Sequence, residues 1–118
     1  MRLKEIIERF TLVSGFEMKE VSRFLPIIAD CKALFEEQLR DSDERGLKRA
    51  EHACAVYAFY RVSMLGRLDD LSSFKVGDVQ MSVEAIGDAA KRLWEAERES
   101  ISDLIDISGG FAFRSVSV

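Results

Sequence analysis

The sequence is poor in the residue types on which many enzymes and metal sites depend. It has one histidine, His52, one proline, Pro26, and two cysteines, Cys31 and Cys54. A single histidine excludes His-rich metal sites and mechanisms that need two imidazoles. The two cysteines match no CxxC or zinc-ribbon spacing, and their apolar neighbours predict buried, reduced thiols rather than a disulfide.

An excess of basic charge and long apolar runs are also lacking. The 118 residues carry 17 Lys and Arg against 21 Asp and Glu, a net charge of -4, which argues against direct sequence-specific nucleic-acid binding. No run approaches the roughly 20 apolar residues that cross a bilayer, and charges throughout residues 1–9 leave no signal-peptide core. We therefore expect no membrane contact, a reducing cytosolic location, and one domain over residues 1–118.

Apolar residues recur at helical spacing through most of the chain and predict helices at about residues 2–13, 17–24, 26–40, 43–68 and 82–108. Ser14 and Glu17 form a capping-box pattern before the second helix, and Pro26 suits the first turn of the third. In the last helix the predicted inward stripe is Val83, Ile86, Ala90, Leu93, Glu97, Ile101, Leu104 and Ile105, with Trp94 beside it.

The segment 43–68 is apolar on nearly all sides after His52, as is typical of a helix surrounded by partners. The predicted fold is therefore mostly α, a small helical bundle around a buried central helix.

Two segments have the alternation of β-strands. Residues 73–82 alternate on either side of Gly77-Asp78 and predict a short β-arm, as a tight hairpin or a bulged extended arm. Residues 110–118 predict a C-terminal strand, which must pair with the arm or with a neighbouring subunit because it cannot be stable alone. With 72–82 and 110–118 as contact elements, the candidate interface residues are Phe74, Val76, Gly77, Asp78, Val79, Met81, Phe111, Phe113 and Val116.

No set of nucleophile, base and metal ligands emerges from the sequence. Glu51, His52 and Cys54 point in different directions on a helix, and His52 has no matching partner one turn away, which predicts a polar residue at the exposed start of the central helix. No phosphate-loop pattern occurs. We predict no catalytic residues, no metal and no cofactor; a carboxylate enzyme site is weighed against a solvated helix face for Glu95, Glu97 and Glu99.

Four segments together carry a family resemblance: Phe16 to Cys31 with its Leu-Pro-Ile-Ile, Ala53 to Arg61, Ser73 to Ser82, and Gly109 to Phe113. Gly77-Asp78-Val79 followed by Ser82 is the most specific of them. Their order and spacing over nearly the whole chain resemble the head–tail connector or head-completion adaptor proteins of phages and prophages.

The resemblance implies a non-enzymatic structural protein that forms a homo-oligomer, a ring or dimer, and contacts portal and tail proteins through extended arms. It further implies a bacterial cytoplasmic location during assembly and a place in the virion. The alternative is a small bacterial protein-interaction or regulatory helical module that dimerises.

Overall fold

Helices dominate the chain in a computed structural model, which describes residues 1–40, 42–68, 73–76 and 79–105. The helices within these ranges are α1 (Leu3–Ser14), α2 (Met18–Arg23), α3 (Leu25–Gln38), α4 (Glu44–Leu68) and α5 (Val83–Ser100). The strands are β1 (Ser73–Val76) and β2 (Val79–Ser82). The mostly helical prediction is confirmed.

Helix α4 is the centre of the bundle, as predicted. Every residue from Ala53 to Phe59 is buried, and α1, α3 and α5 all pack against this helix. Its first turn is capped by Asp43, whose Oδ1 accepts a hydrogen bond from the backbone N–H of Gly46 at 2.9 Å. The polar residues before α4 thus start the helix. Small buried residues of α4, Ala50, Ala53, Ala55 and Ala58, leave room for the neighbouring helices.

The capping box predicted between α1 and α2 is wrong. Ser14 is the last residue of α1, and its Oγ accepts a hydrogen bond from the backbone N–H of Phe16 at 3.1 Å, outside the helix that begins at Met18. Gly15 then takes a left-handed conformation with φ of 71°, which ends α1 and which glycine adopts without steric cost.

The turn after Gly15 buries Phe16 in an aromatic cluster. The centre of its ring lies 5.9 Å from that of Phe10, 6.0 Å from that of Phe24 and 5.8 Å from that of Phe59. Edge-to-face contacts at such separations add to the free energy gained by burying the rings. This first aromatic cluster fixes the connection between α1 and α2 against α4.

A second aromatic cluster joins three helices. Tyr57 of α4 lies with its ring centre 4.8 Å from that of Trp94 on α5 and 5.8 Å from that of Phe35 on α3. Helix α3 has Pro26 in its first turn, as predicted. Its buried side chains follow helical spacing: Ile28, Cys31, Leu34 and Phe35.

The predicted register of α5 needs one correction. Trp94 is 4% exposed and belongs to the core, whereas Leu93, placed inward by the sequence pattern, is 41% exposed. The buried stripe runs from Ile86 through Ala90 to Trp94, because residues four apart share a helix face. Leu93 falls just outside that stripe.

Helix α5 ends at Ser100, not near residue 108 as predicted. Ser100 Oγ turns back to donate a hydrogen bond to the Glu97 carbonyl oxygen at 3.0 Å, a local bond of the kind that competes with continued helix. The chain then turns, Ile105 forms an isolated β-bridge with Leu39, and the Arg40 backbone N–H donates to the Leu104 carbonyl at 2.8 Å. The apolar residues after Ser100 are therefore core residues of a turn rather than of a helix.

Strands β1 and β2 pair in antiparallel register, with Ser73 opposite Ser82, Phe74 opposite Met81, Lys75 opposite Gln80, and Val76 opposite Val79. The backbone of both strands contacts α5. Gly77 and Asp78 lie outside the described residues, as does segment 110–118, so the predicted C-terminal strand stays a prediction.

The corrected register of α5 can be tested by truncating two adjacent side chains. Trp94→Ala should lower the free energy of unfolding by about 3–5 kcal/mol, because it empties the second aromatic cluster. The matched variant Leu93→Ala should cost clearly less, about 1 kcal/mol or below, since Leu93 is 41% exposed and lies outside the buried stripe. Urea denaturation followed by circular dichroism measures both; equal losses would contradict the register.

Candidate functional site

Four of the nine candidate interface residues lie in the two strands. Because directly paired residues share a face and alternate residues along a strand do too, the register places positions 74, 76, 79 and 81 on one face of the two-stranded ribbon. All four positions are apolar: Phe74, Val76, Val79 and Met81. The other face carries Ser, Lys, Gln and Ser.

The structure does not describe the other five candidate interface residues. Gly77, Asp78, Phe111, Phe113 and Val116 all lie outside the described residues. Within the described residues the sheet has two strands only, so β1 and β2 each pair along one edge. The other edge of each strand offers backbone groups to a further strand.

A buried carboxylate, for which the sequence predicted no functional role, lies in the first half of α4. Glu51 is 2% exposed. Its Oε2 accepts hydrogen bonds from the Arg2 backbone N–H at 2.6 Å and from Arg2 Nε at 3.1 Å, and its Oε1 accepts from Arg2 Nη2 at 2.8 Å. Arg2 Nη1 also lies 3.0 Å from Glu44 Oε1. One arginine thus ties the start of α1 to two turns of α4.

The pKa of the Glu51 carboxyl reflects two opposing effects. Burial raises the pKa. The hydrogen bonds from the Arg2 side chain and backbone, together with the Arg2 charge, lower it by a larger amount, so the pKa lies below its ordinary value of 4.5. Glu51 therefore remains ionised in the folded protein at neutral pH. A buried carboxylate held by a guanidinium in this two-point geometry is a structural clamp.

The clamp predicts a pH-dependent loss of stability. Since folding lowers the pKa of Glu51, its charge contributes stability that is present above pH 4.5 and is lost as the pH falls through the folded-state pKa. Glu51→Gln should lower the free energy of unfolding by about 1–3 kcal/mol at neutral pH. The difference in unfolding free energy between wild type and variant should become smaller as the pH is lowered. Urea melts between about pH 3 and pH 7 measure this difference.

Glu95→Gln removes one negative charge from an exposed position of α5 and is the control for net charge. A gap between wild type and Glu51→Gln that stays constant with pH would contradict the role assigned to the Glu51 charge.

His52 has a partner from another helix. Its Nε2 lies 3.6 Å from Glu97 Oε1 of α5, and its Nδ1 is buried without a hydrogen-bond partner in the described structure. The two side chains line a cleft of about 350 Å³ between α1, α4 and α5, together with Arg9, Lys48, Arg49, Ser100 and Ile101. The sequence predicted a polar residue at the exposed start of the central helix; the side chain is 36% exposed and faces a carboxylate of a different helix, which spacing along α4 cannot indicate.

The three carboxylates of α5 do not act as a unit. Glu95 and Glu99 are exposed, as expected for a solvated face. Glu97 is only 25% exposed, and besides His52 its Oε2 accepts a hydrogen bond from Ser100 Oγ at 3.4 Å. The three side chains do not converge on one point, so nothing in their arrangement resembles a paired acid and base.

Both thiols are buried and unpaired, as predicted. Burial raises the pKa of Cys31 to about 11, against the opposing effect of Arg61, whose Nη1 lies 3.8 Å from the sulfur. Burial also raises the pKa of Cys54 well above its ordinary value. Because the thiolate is the reactive form, neither cysteine is prepared for nucleophilic chemistry.

Among the residues with described positions, no three His, Cys, Asp or Glu side chains lie close enough together to hold a metal ion. The same part of the chain contains no helix that is both long and apolar enough to cross a membrane.

Comparisons with known proteins found no relative of this chain. No protein-family model matches the chain, and neither a curated protein nor a solved structure does.

Proposed function

We propose that this chain is a non-enzymatic structural adaptor of the phage or prophage head–tail connector type, which assembles with copies of itself and with portal or tail proteins. The observation that carries the proposal is the register of β1 and β2. It assigns four apolar residues to one face of a two-stranded ribbon. Such a face needs cover in water, which α5, in contact with both strands, or a neighbouring subunit can supply.

The ribbon has the properties that strand addition requires. Each of its strands has a second edge without a partner strand among the described residues, and an incoming strand can hydrogen-bond to such an edge. Segment 110–118 supplies an alternating sequence for that purpose, from its own chain or from a neighbour. Pairing between neighbours propagates around a ring when the rotation between subunits closes.

The body of the protein supports a scaffold role. Helix α4 is enclosed by α1, α3 and α5, and the two aromatic clusters hold these helices together. Both thiols are buried with raised pKa values. A rigid bundle of this kind keeps the ribbon in a fixed position relative to the rest of each subunit. Assembly in the bacterial cytoplasm and a final location in the virion belong to the same proposal.

A dimerising interaction or regulatory module is the second candidate, and one observation favours it. Leu12 at the end of α1 is 74% exposed and Met18 at the start of α2 is 61% exposed. Two large apolar side chains on either side of the Gly15 turn suit a small contact between two bundles. The two candidates use different surfaces, so paired variants separate them.

Light scattering on the purified protein, alone and mixed with a phage portal protein, tests the adaptor proposal. Phe74→Ser with Met81→Ser should abolish assembly or portal binding, because it removes half of the apolar face. Lys75→Ala with Gln80→Ala changes the opposite face by the same number of residues and should leave assembly intact. All variants should keep the helical circular dichroism of the wild type.

A wild-type protein that stays monomeric at high concentration and does not bind portal contradicts the adaptor. Loss of a dimer in Leu12→Ser with Met18→Ser, but not in the ribbon variant, favours the second candidate. Neighbouring genes for portal, capsid and tail proteins support the first candidate, and neighbouring regulatory genes the second.

The proposed role of the C-terminal segment has its own test. Phe111→Ser with Phe113→Ser should reduce assembly by more than about tenfold while changing the midpoint of urea unfolding little, if the strand pairs with a neighbour. Ser115→Ala with Ser117→Ala is the control in the same segment. A large fall in the unfolding midpoint with unchanged assembly would show instead that the strand pairs within its own chain.

A further inference from the structure

The cleft between α1, α4 and α5 contains two cations without a counter-charge. Arg9 of α1 and Lys48 of α4 both line it, and neither forms an ion pair with any residue that the structure describes. The other lining cation, Arg49, is paired with Asp103 at 3.1 Å. The chain as a whole has a net charge of -4, so this local excess of positive charge runs against its composition.

Two carboxylates close to these cations are engaged by other arginines. Glu44, one turn before Lys48 on α4, would be its ordinary helical partner, but Glu44 lies 3.0 Å from Arg2 Nη1. Asp103 accepts two hydrogen bonds from Arg49. Of the described residues that line the cleft, Glu97 alone is a carboxylate, and its Oε1 faces His52 at 3.6 Å.

The cleft therefore offers donors of two kinds to an incoming anion. Arg9 presents a planar guanidinium, which binds the oxygens of a tetrahedral anion two at a time, and Lys48 presents a compact ammonium group. His52 also lines the cleft, but its Nδ1 is buried and its Nε2 faces Glu97, so its imidazole is a neighbour of the bound anion rather than a donor to it. A volume of about 350 Å³ admits a phosphate group with part of a small molecule attached.

We propose that this cleft is a binding site for the phosphate group of a small phosphate monoester, with Arg9 and Lys48 as its main ligands and His52 beside them. The site is independent of the ribbon and of the adaptor role, and its three helices belong to the rigid part of the bundle. Arg9 and Lys48 come from different helices, so a bound phosphate also bridges α1 and α4.

The single histidine makes the site directly observable. The imidazole signals of ¹⁵N-labelled protein come from His52 alone, and they can be followed by NMR at constant pH and ionic strength during titration with inorganic phosphate, glycerol phosphate or sodium chloride. Both phosphates should shift these signals along a saturating curve, and chloride should not. A short DNA duplex is titrated in parallel.

Arg9→Gln with Lys48→Gln should weaken phosphate binding by about tenfold or more, because charge-assisted hydrogen bonds are lost. The control, Lys4→Gln with Lys19→Gln, removes the same charge from exposed positions of α1 and α2 outside the cleft and should change the affinity by no more than about twofold. Unchanged circular dichroism verifies that each variant is folded.

Equal affinity in the two double variants, a shift that does not saturate, or an equal response to chloride overturns the site. Binding of DNA without binding of either small phosphate also overturns it, because the anion would then be recognised by a different surface.

Discussion

Helix α4 must be covered on every side, and most of the fold follows from that requirement. An exposed helix needs a polar stripe, which α4 does not have over the stretch from Ala53 to Phe59, where every residue is buried. Three helices provide the cover, and their positions are fixed by rings: Phe16 and Phe59 on one side, Tyr57 and Trp94 on another. Because interlocking rings pack in few ways, the neighbours of α4 have little freedom to exchange places.

The same helix determines where charge collects on the surface. Its first half carries Glu44, Lys48 and Glu51, all within reach of α1. Burial of Glu51 requires a cation of good geometry, and Arg2 meets this need while also taking Glu44. Lys48 is thereby left without its helical partner. The burial of Glu51 at the α1–α4 contact thus leaves the Lys48 ammonium at the neighbouring cleft without an ion pair to any described residue.

Local patterns in the sequence predicted the helices well because their spacing is a local property. They located α3 through Pro26 and α4 through its continuous apolar character. The patterns failed where a residue distant in the sequence determines the burial or the partner of a side chain. Glu51 is buried because Arg2 reaches it from the far end of the chain, and His52 meets Glu97 from α5. The end of α5 was placed too late because buried residues of a turn, such as Leu104, fit helical spacing by coincidence.

The short bridge between Leu39 and Ile105 has a kinetic meaning. Contacts within each helix and between consecutive helices join residues close in sequence and form early, whereas this bridge joins positions on either side of α4 and α5. Closing so long a loop is entropically costly until both helices have docked. We therefore expect the bridge to be among the last contacts to form.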